Sequence, residues 1–105
     1  MKEEIKAYNN VLELIGNTPL IKIKKVTEGI LGNFYAKVEA FNPGHSTKDR
    51  IALYIIEEAE KRGILTPGDT IIETTSGNTG FSLAMVSIIK GYNCILAVSS
   101  KSSAD

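Results

Sequence analysis

The sequence predicts an α/β fold: a βαβ unit with parallel strands, preceded by extended N-terminal strands. Three observations point to it. "TIIE" at 70–73 and "CILAV" at 94–98 are short apolar runs bounded by turn residues, the pattern of buried strands. Between them, from about Asn78 to Lys90, runs "FSLAMVSII", long enough for a helix and stopped by Gly91. Strand, helix and strand fill the length of one βαβ unit, whose strands run parallel through a right-handed crossover.

The other elements follow in chain order. "NNVLELIG" predicts a short helical stretch stopped by Gly16. "NTPLIKI" starts extended, because a residue before proline is pushed out of the helical region, and gives a short strand at Leu20 to Ile23. "GILGN" is loop. "FYAKVEA" sets Phe34, Ala36, Val38 and Ala40 against Tyr35, Lys37 and Glu39, a strand alternation over 34–40. "NPGHS" is a turn, with Ser46 as cap of the next helix. Ala52, Ile55, Ile56 and Ala59 then recur with helical spacing up to about Gly63. "EEAEKR" reads as a solvated helix face, Tyr54 and Tyr92 as core-edge residues, Cys94 as core and His45 as a polar loop residue. The helix "FSLAMVSII" is apolar nearly all round, which predicts burial on more than one side.

Bulk properties narrow the function classes. The 105 residues, 43% of them apolar, suit one domain with a modest core rather than a disordered chain. Twelve basic and twelve acidic residues balance, which gives no reason to expect nucleic acid or an anionic membrane as partner. No segment approaches a membrane span and the polar start lacks the apolar run of a signal peptide, so a cytoplasmic protein is expected. One cysteine provides neither a disulfide framework nor a metal site.

Two loops could do chemistry. "TTSGNTG", Thr74 to Gly80, joins the end of a strand to the start of a helix, where open α/β sheets bind ligands. Its free N–H groups, the Thr75, Ser76 and Thr79 hydroxyls and the Asn78 amide suit a small anion. With neither lysine nor acid, the loop alone cannot transfer protons. Its blander reading is a helix cap at Thr75 or Ser76 with glycines turning the chain. It is neither a dinucleotide fingerprint nor a P-loop. "FNPGHSTKDR", Phe41 to Arg50, places Lys48 in a first helical turn, where exposed N–H groups disfavour a cation. Side chains lean toward the N-terminus, so the neutral amine is favoured there, and a neutral amine adds to a carbonyl. The blander reading is a solvated lysine whose cost Asp49 offsets.

Together, "IGNTPL", "NPGHSTKDR", "PGDTIIETTSGNTG" and "GYNCILAV" resemble, in order and spacing, the cysteine synthase and cystathionine β-synthase family. The resemblance covers about Val11 to Ala104 and implies the fold type II arrangement for pyridoxal phosphate. It implies that Lys48 holds the cofactor and moves the substrate's α-proton. Asn78 would bond the cofactor's 3′ oxygen, and Thr75, Ser76, Gly77 and Thr79 would grip the amino-acid carboxylate. The implied reaction is β-replacement, in which sulfide or homocysteine displaces the leaving group of a serine or O-acetylserine-type substrate. A homodimer is implied for the full-length enzyme. Residues 1–41 would be an arm belonging to the larger cofactor domain, and 42–105 the beginning of the smaller domain. The family's glycine-rich phosphate loop falls beyond position 105, so an N-terminal portion with the rest of the enzyme absent is expected.

Departures from the pattern are His45, where the family has a small residue, Thr74, where proline is common, and "AVSSKSSAD". Two other readings stand beside the first: a non-catalytic amino-acid-binding or interaction module, and a serine or threonine dehydratase.

Overall fold

The computed structural model describes residues 4–75 and 77–100. Asn10 opens the chain's first ordered element. Its side chain accepts from the Leu12 N–H at the head of a 3-10 turn, Val11–Leu14, and Gly16 at φ 89° ends it. Strands β1 (Leu20–Lys22) and β2 (Tyr35–Lys37) then pair antiparallel, Ile21 opposite Ala36. β2 is shorter than the alternation over 34–40 predicts. The chain tightens into a 3-10 turn at Glu39–Phe41, where Asn42 donates from both its backbone and its side chain to the Glu39 carbonyl. Local bonds to that carbonyl replace the ladder bonds a longer strand would need.

Helix α1 (Lys48–Lys61) buries Asp49, Ala52 and Ile56, one stripe along its length. Ala59 is half-buried, whereas Ile55 and Tyr54 face outward, so Tyr54 is no core-edge residue. The helix ends at Arg62, followed by Gly63 at φ 73°, the left-handed conformation that glycine adopts without a Cβ penalty.

β3 (Thr70–Thr74), α2 (Asn78–Lys90) and β4 (Asn93–Ala97) form the expected βαβ unit. β3 and β4 are parallel, with Ile71 opposite Cys94 and Glu73 opposite Leu96. Gly91 at φ 84° closes α2 by donating to the Ser87 carbonyl. The core lies between α1, α2 and one face of this sheet: Ala52, Ile56, Leu83, Val86 and Tyr92, with Ile71 and Cys94 packed against them. Tyr92 is thus a core residue and Cys94 lies half-buried at the core's edge.

α2 is covered on one side only, contrary to the expectation from its composition. Leu83 and Val86 face α1 and the sheet, while Phe81 and Ile88 are 58% and 77% exposed. Phe81, Ala84, Met85, Ile88 and Ile89 line an open apolar hollow there. The other face of the sheet also shows Ile72 and Ile95 to solvent. A radius of gyration of 17.8 Å, against about 13 Å for a compact domain of this length, reflects the same spread-out arrangement. An all-round apolar helix is buried all round only if two layers pack on it, and among the described residues one does.

A polar network joins the N-terminal strands to the start of α1. Asn42, 1% exposed, accepts from the Gly16 N–H at 2.8 Å and donates to Glu39 and to the Ser46 carbonyl. Arg50 donates to the Glu39 carboxylate at 2.8 Å and to the Thr18 hydroxyl at 3.0 Å. Burial raises the Glu39 pKa, but the Arg50 and Asn42 hydrogen bonds outweigh it and hold this carboxyl below its ordinary value.

Candidate active site

The two loops singled out from sequence meet. Lys48, Glu73, Thr74, Thr75, Gly77, Asn78 and Thr79 line one open hollow of ≈ 540 Å³ at the C-terminal edge of β3. Two helix starts form its walls. Lys48 is the first residue of α1, and Asn78 and Thr79 are the first two of α2. Parallel strands make this convergence possible, since a strand's C-terminal end lies beside the helix that follows it. Ser76 lies outside the described residues.

On the α1 side, the Ser46 hydroxyl accepts from the Lys48 N–H at 3.1 Å. That is the expected cap, although the boundary residue is Thr47, one position later. Asp49 does not balance the Lys48 charge across the surface. It is fully buried and accepts from the Gly44 N–H and from the Ser82 hydroxyl on α2. His45 sits exposed at φ 63°, its Nδ1 3.3 Å from the Ala40 carbonyl, and is not among the residues lining the hollow.

On the α2 side, the blander expectation holds for one residue. Thr75 is a cap: its hydroxyl accepts from the Gly77 and Gly80 N–H groups, at 3.3 and 2.9 Å. Its own proton is left to donate. No acceptor for the Asn78 and Thr79 N–H groups is found among the described residues. These donors, in a field of positive sign, can receive an anion. Gly77 has open space where a Cβ would stand, so a flat group can approach the backbone there. Gly80 lies tight against the Thr75 side chain, with no room for a methyl group.

Sequence reasoning missed Glu73. The loop contains no acid, but the strand that leads into it does, and Glu73 lines the same hollow as Lys48 while accepting from the Thr74 N–H at 2.9 Å. Its signal was available in the period-2 pattern: Glu73 shares a face with half-buried Ile71, the face toward the helices.

An amine, a row of open donors and a glycine with free space make a site for a flat carbonyl compound beside a carboxylate. A family model described as "Pyridoxal-phosphate dependent enzyme" matches residues 11–105.

The chain belongs to the pyridoxal-phosphate dependent enzyme family.

Relatives agree. The chain is 50% identical over 100 residues to a cystathionine beta-synthase of Mus musculus, covering 93% of this chain and 18% of that protein. It is 51% identical over 88 residues to cysteine synthase 1 of Emericella nidulans, covering 84% of this chain and 24% of that one. A solved structure of a hydrogen sulfide-producing enzyme from Fusobacterium nucleatum superposes with a TM-score of 0.87 at 47% identity. It matches 94% of this chain, which covers 32% of that structure. The fold is therefore a partial fold type II arrangement, as expected. Among the described residues no helix is long and apolar enough to cross a membrane.

The hollow fits part of the family's cofactor. The Lys48 amine can take its carbonyl carbon, and the α2 donors can take oxygens. No second Lys or Arg lines the hollow among the described residues, so its donors suit the carbonyl end and a carboxylate rather than a phosphate dianion.

Proposed function

We propose that this chain supplies the lysine and the carboxylate grip of a pyridoxal-phosphate-dependent β-replacement enzyme. The observation that carries this is Lys48 sharing one hollow with the 75–79 loop. Residues 1–41 serve as an arm of the larger cofactor domain, and 42–105 begin the smaller one. When bound, the cofactor supplies an electron sink for the bond broken at the substrate's Cα.

The chain's own residues do the rest. Lys48 Nζ would hold the cofactor at its carbonyl carbon. Its amine, when free, lies beside the substrate and takes the proton from Cα, as a general base within reach. The Asn78 and Thr79 N–H groups, with the hydroxyls of Thr75, Ser76 and Thr79, bind the substrate carboxylate, and the backbone at Gly77 gives it room. The Asn78 amide would bond the cofactor's 3′ oxygen. Gripping the carboxylate fixes where Cα stands relative to Lys48, which converts a chance encounter into a positioned one. Loss of the leaving group from Cβ, addition of a sulfur nucleophile (sulfide or homocysteine) at Cβ, and return of the proton from Lys48 to Cα complete the exchange on a serine or O-acetylserine-type substrate. The enzyme is read as a cytoplasmic homodimer.

The test is chemical trapping. Borohydride reduction of the intact holoprotein, followed by peptide mass analysis, should place a pyridoxyl label on Lys48. Lys48→Ala should lose the label completely. A label on another lysine, or none in the wild type, overturns the assignment. Product analysis separates the competing outcomes: a thioether or cysteine supports β-replacement, a keto acid indicates a dehydratase, and carboxylate binding without turnover indicates a binding module.

A further inference from the structure

Asp49 is fully buried, yet among the described residues no cation pairs with it. Arg50, next in sequence, goes instead to Glu39 and Thr18. The two carboxyl oxygens are divided between distant partners. Oδ2 accepts from the Gly44 N–H, in the turn before Lys48. Oδ1 accepts from Ser82 Oγ at 2.6 Å, across 33 residues of sequence. Ser82 is fully buried as well.

Where these residues stand matters. Asp49 directly follows Lys48, and Ser82 lies one helical turn after Asn78. One carboxyl group therefore ties together the 42–46 turn, the first turn of α1 and the α2 segment next to the anion loop. Elsewhere α1 and α2 meet through Ala52, Ile56, Leu83 and Val86. Apolar contact is not directional, so it fixes the rotation and slide of one helix along the other less sharply than a hydrogen bond does. At their far ends, Lys90 and Tyr92 hold Glu60 in a half-exposed cluster. Only the Asp49–Ser82 bond, among the described contacts between the two helices, is both directional and dry, and it lies at the end that carries the hollow.

We propose that Asp49 and Ser82 are positioning residues whose hydrogen bond sets the distance between the Lys48 amine and the carboxylate-binding donors of α2. The inference rests on the reading of Lys48 and the 75–79 loop given above. A small side chain at 82 is needed for helix approach in any case, and alanine would supply that. The hydroxyl is what the proposal assigns a purpose. Buried bonds of this kind fix one register among several that packing alone would tolerate, and small misplacements of a reacting group are costly to an oriented site.

The test compares Ser82→Ala, Asp49→Asn and their combination in the holoprotein, with L-serine as probe. Three quantities are read: the dissociation constant for L-serine from the absorbance change of the bound cofactor, the thermal midpoint, and the borohydride label on Lys48. Ser82→Ala should weaken L-serine binding about 10-fold, the order expected for a mispositioned site, while Lys48 remains fully labelled. Asp49→Asn combined with Ser82→Ala should be no worse than the weaker-binding single variant, because both act on the same bond. A Ser82→Ala protein with a lowered midpoint and unchanged L-serine affinity overturns the proposal, because the bond is then structural only. Additive effects in the double variant overturn it too. A wild type that takes no label on Lys48 removes the functional reading itself and this inference with it, an outcome distinct from either of those.

Discussion

The two helices that border the hollow begin in opposite ways. The start of α1 is closed: Ser46 occupies the Lys48 N–H, Asn42 is wrapped by Gly16, Glu39 and Ser46, and Asp49 is buried against Gly44 and Ser82. The start of α2 is half open. Thr75 takes the Gly77 and Gly80 N–H groups and leaves those of Asn78 and Thr79 without an acceptor among the described residues. In the proposed function each wall has its own task. A reactive amine needs a fixed base, and the side-chain bonds at the start of α1 supply one. An anion site needs donors held in reserve, and the start of α2 is capped only in part.

Glycine substitutions sharpen this contrast most. A methyl group at Gly44 would run into the buried Asp49 carboxyl, which has nowhere to go. Gly44→Ala should therefore destabilise by about 2–3 kcal/mol, the usual cost of overpacking, as read from urea melts of the intact protein. A methyl at Gly80 meets the Thr75 side chain, which belongs to a half-buried loop residue and can rotate away at the loss of its cap. Gly80→Ala should cost nearer to about 1 kcal/mol, the worth of a cap, and should weaken amino-acid binding as well. Equal costs at the two positions would break the comparison, since both helix starts would then be equally rigid.

The smallest effect lies at the other ends of the same helices, where polar groups brace the pair instead of serving a site. Hydrogen bonds from Lys90 and then Tyr92 hold the Glu60 carboxyl below its ordinary 4.5. Burial, then Glu60, pushes the Tyr92 phenol up to about 12, and Glu60 raises Lys90. The signs give two limbs. A depressed carboxyl stabilises above its unfolded value, and that contribution is lost as pH falls through the lower folded one. A raised phenol and a raised ammonium stabilise fully below their unfolded values near 10, and this is lost as pH rises toward about 12. The cluster is partly exposed, so screening keeps both limbs shallow. Thermal midpoints should be level from about pH 5 to 9, apart from other groups, and Tyr92→Phe should flatten part of the alkaline limb. An unchanged alkaline limb in that variant would show that Tyr92 braces nothing. "EEAEKR" is thus more than a solvated face, because Glu60 within it joins α1 to the end of α2.

Most elements were legible from sequence. The bounds of α2, the Gly63 and Gly91 stops and the parallel strands follow from helical and strand periods and from glycine's access to positive φ. The site's loops were legible too, because "NPGHSTKDR" and "TTSGNTG" are dense in turn and donor residues. Less visible was how each residue would be used. Thr75 reads equally as cap or as ligand, and the structure shows that its hydroxyl accepts from two N–H groups, with no acceptor for its own proton among the described residues. Composition foretold an enclosed α2, yet enclosure depends on how many layers pack against it, and Phe81 and Ile88 stand exposed.

What the sequence determined by itself is local: where the chain turns, where helices begin and end, and which short stretches carry an amine or spare N–H groups. These depend on bonds and sterics spanning a few residues. Only the tertiary structure decided that Glu73 and Lys48 line one hollow and that Asp49 turns inward to a serine 33 residues away. A side chain's partner across such a distance is chosen when the helices close on each other, and neither period nor propensity within a short window records that choice.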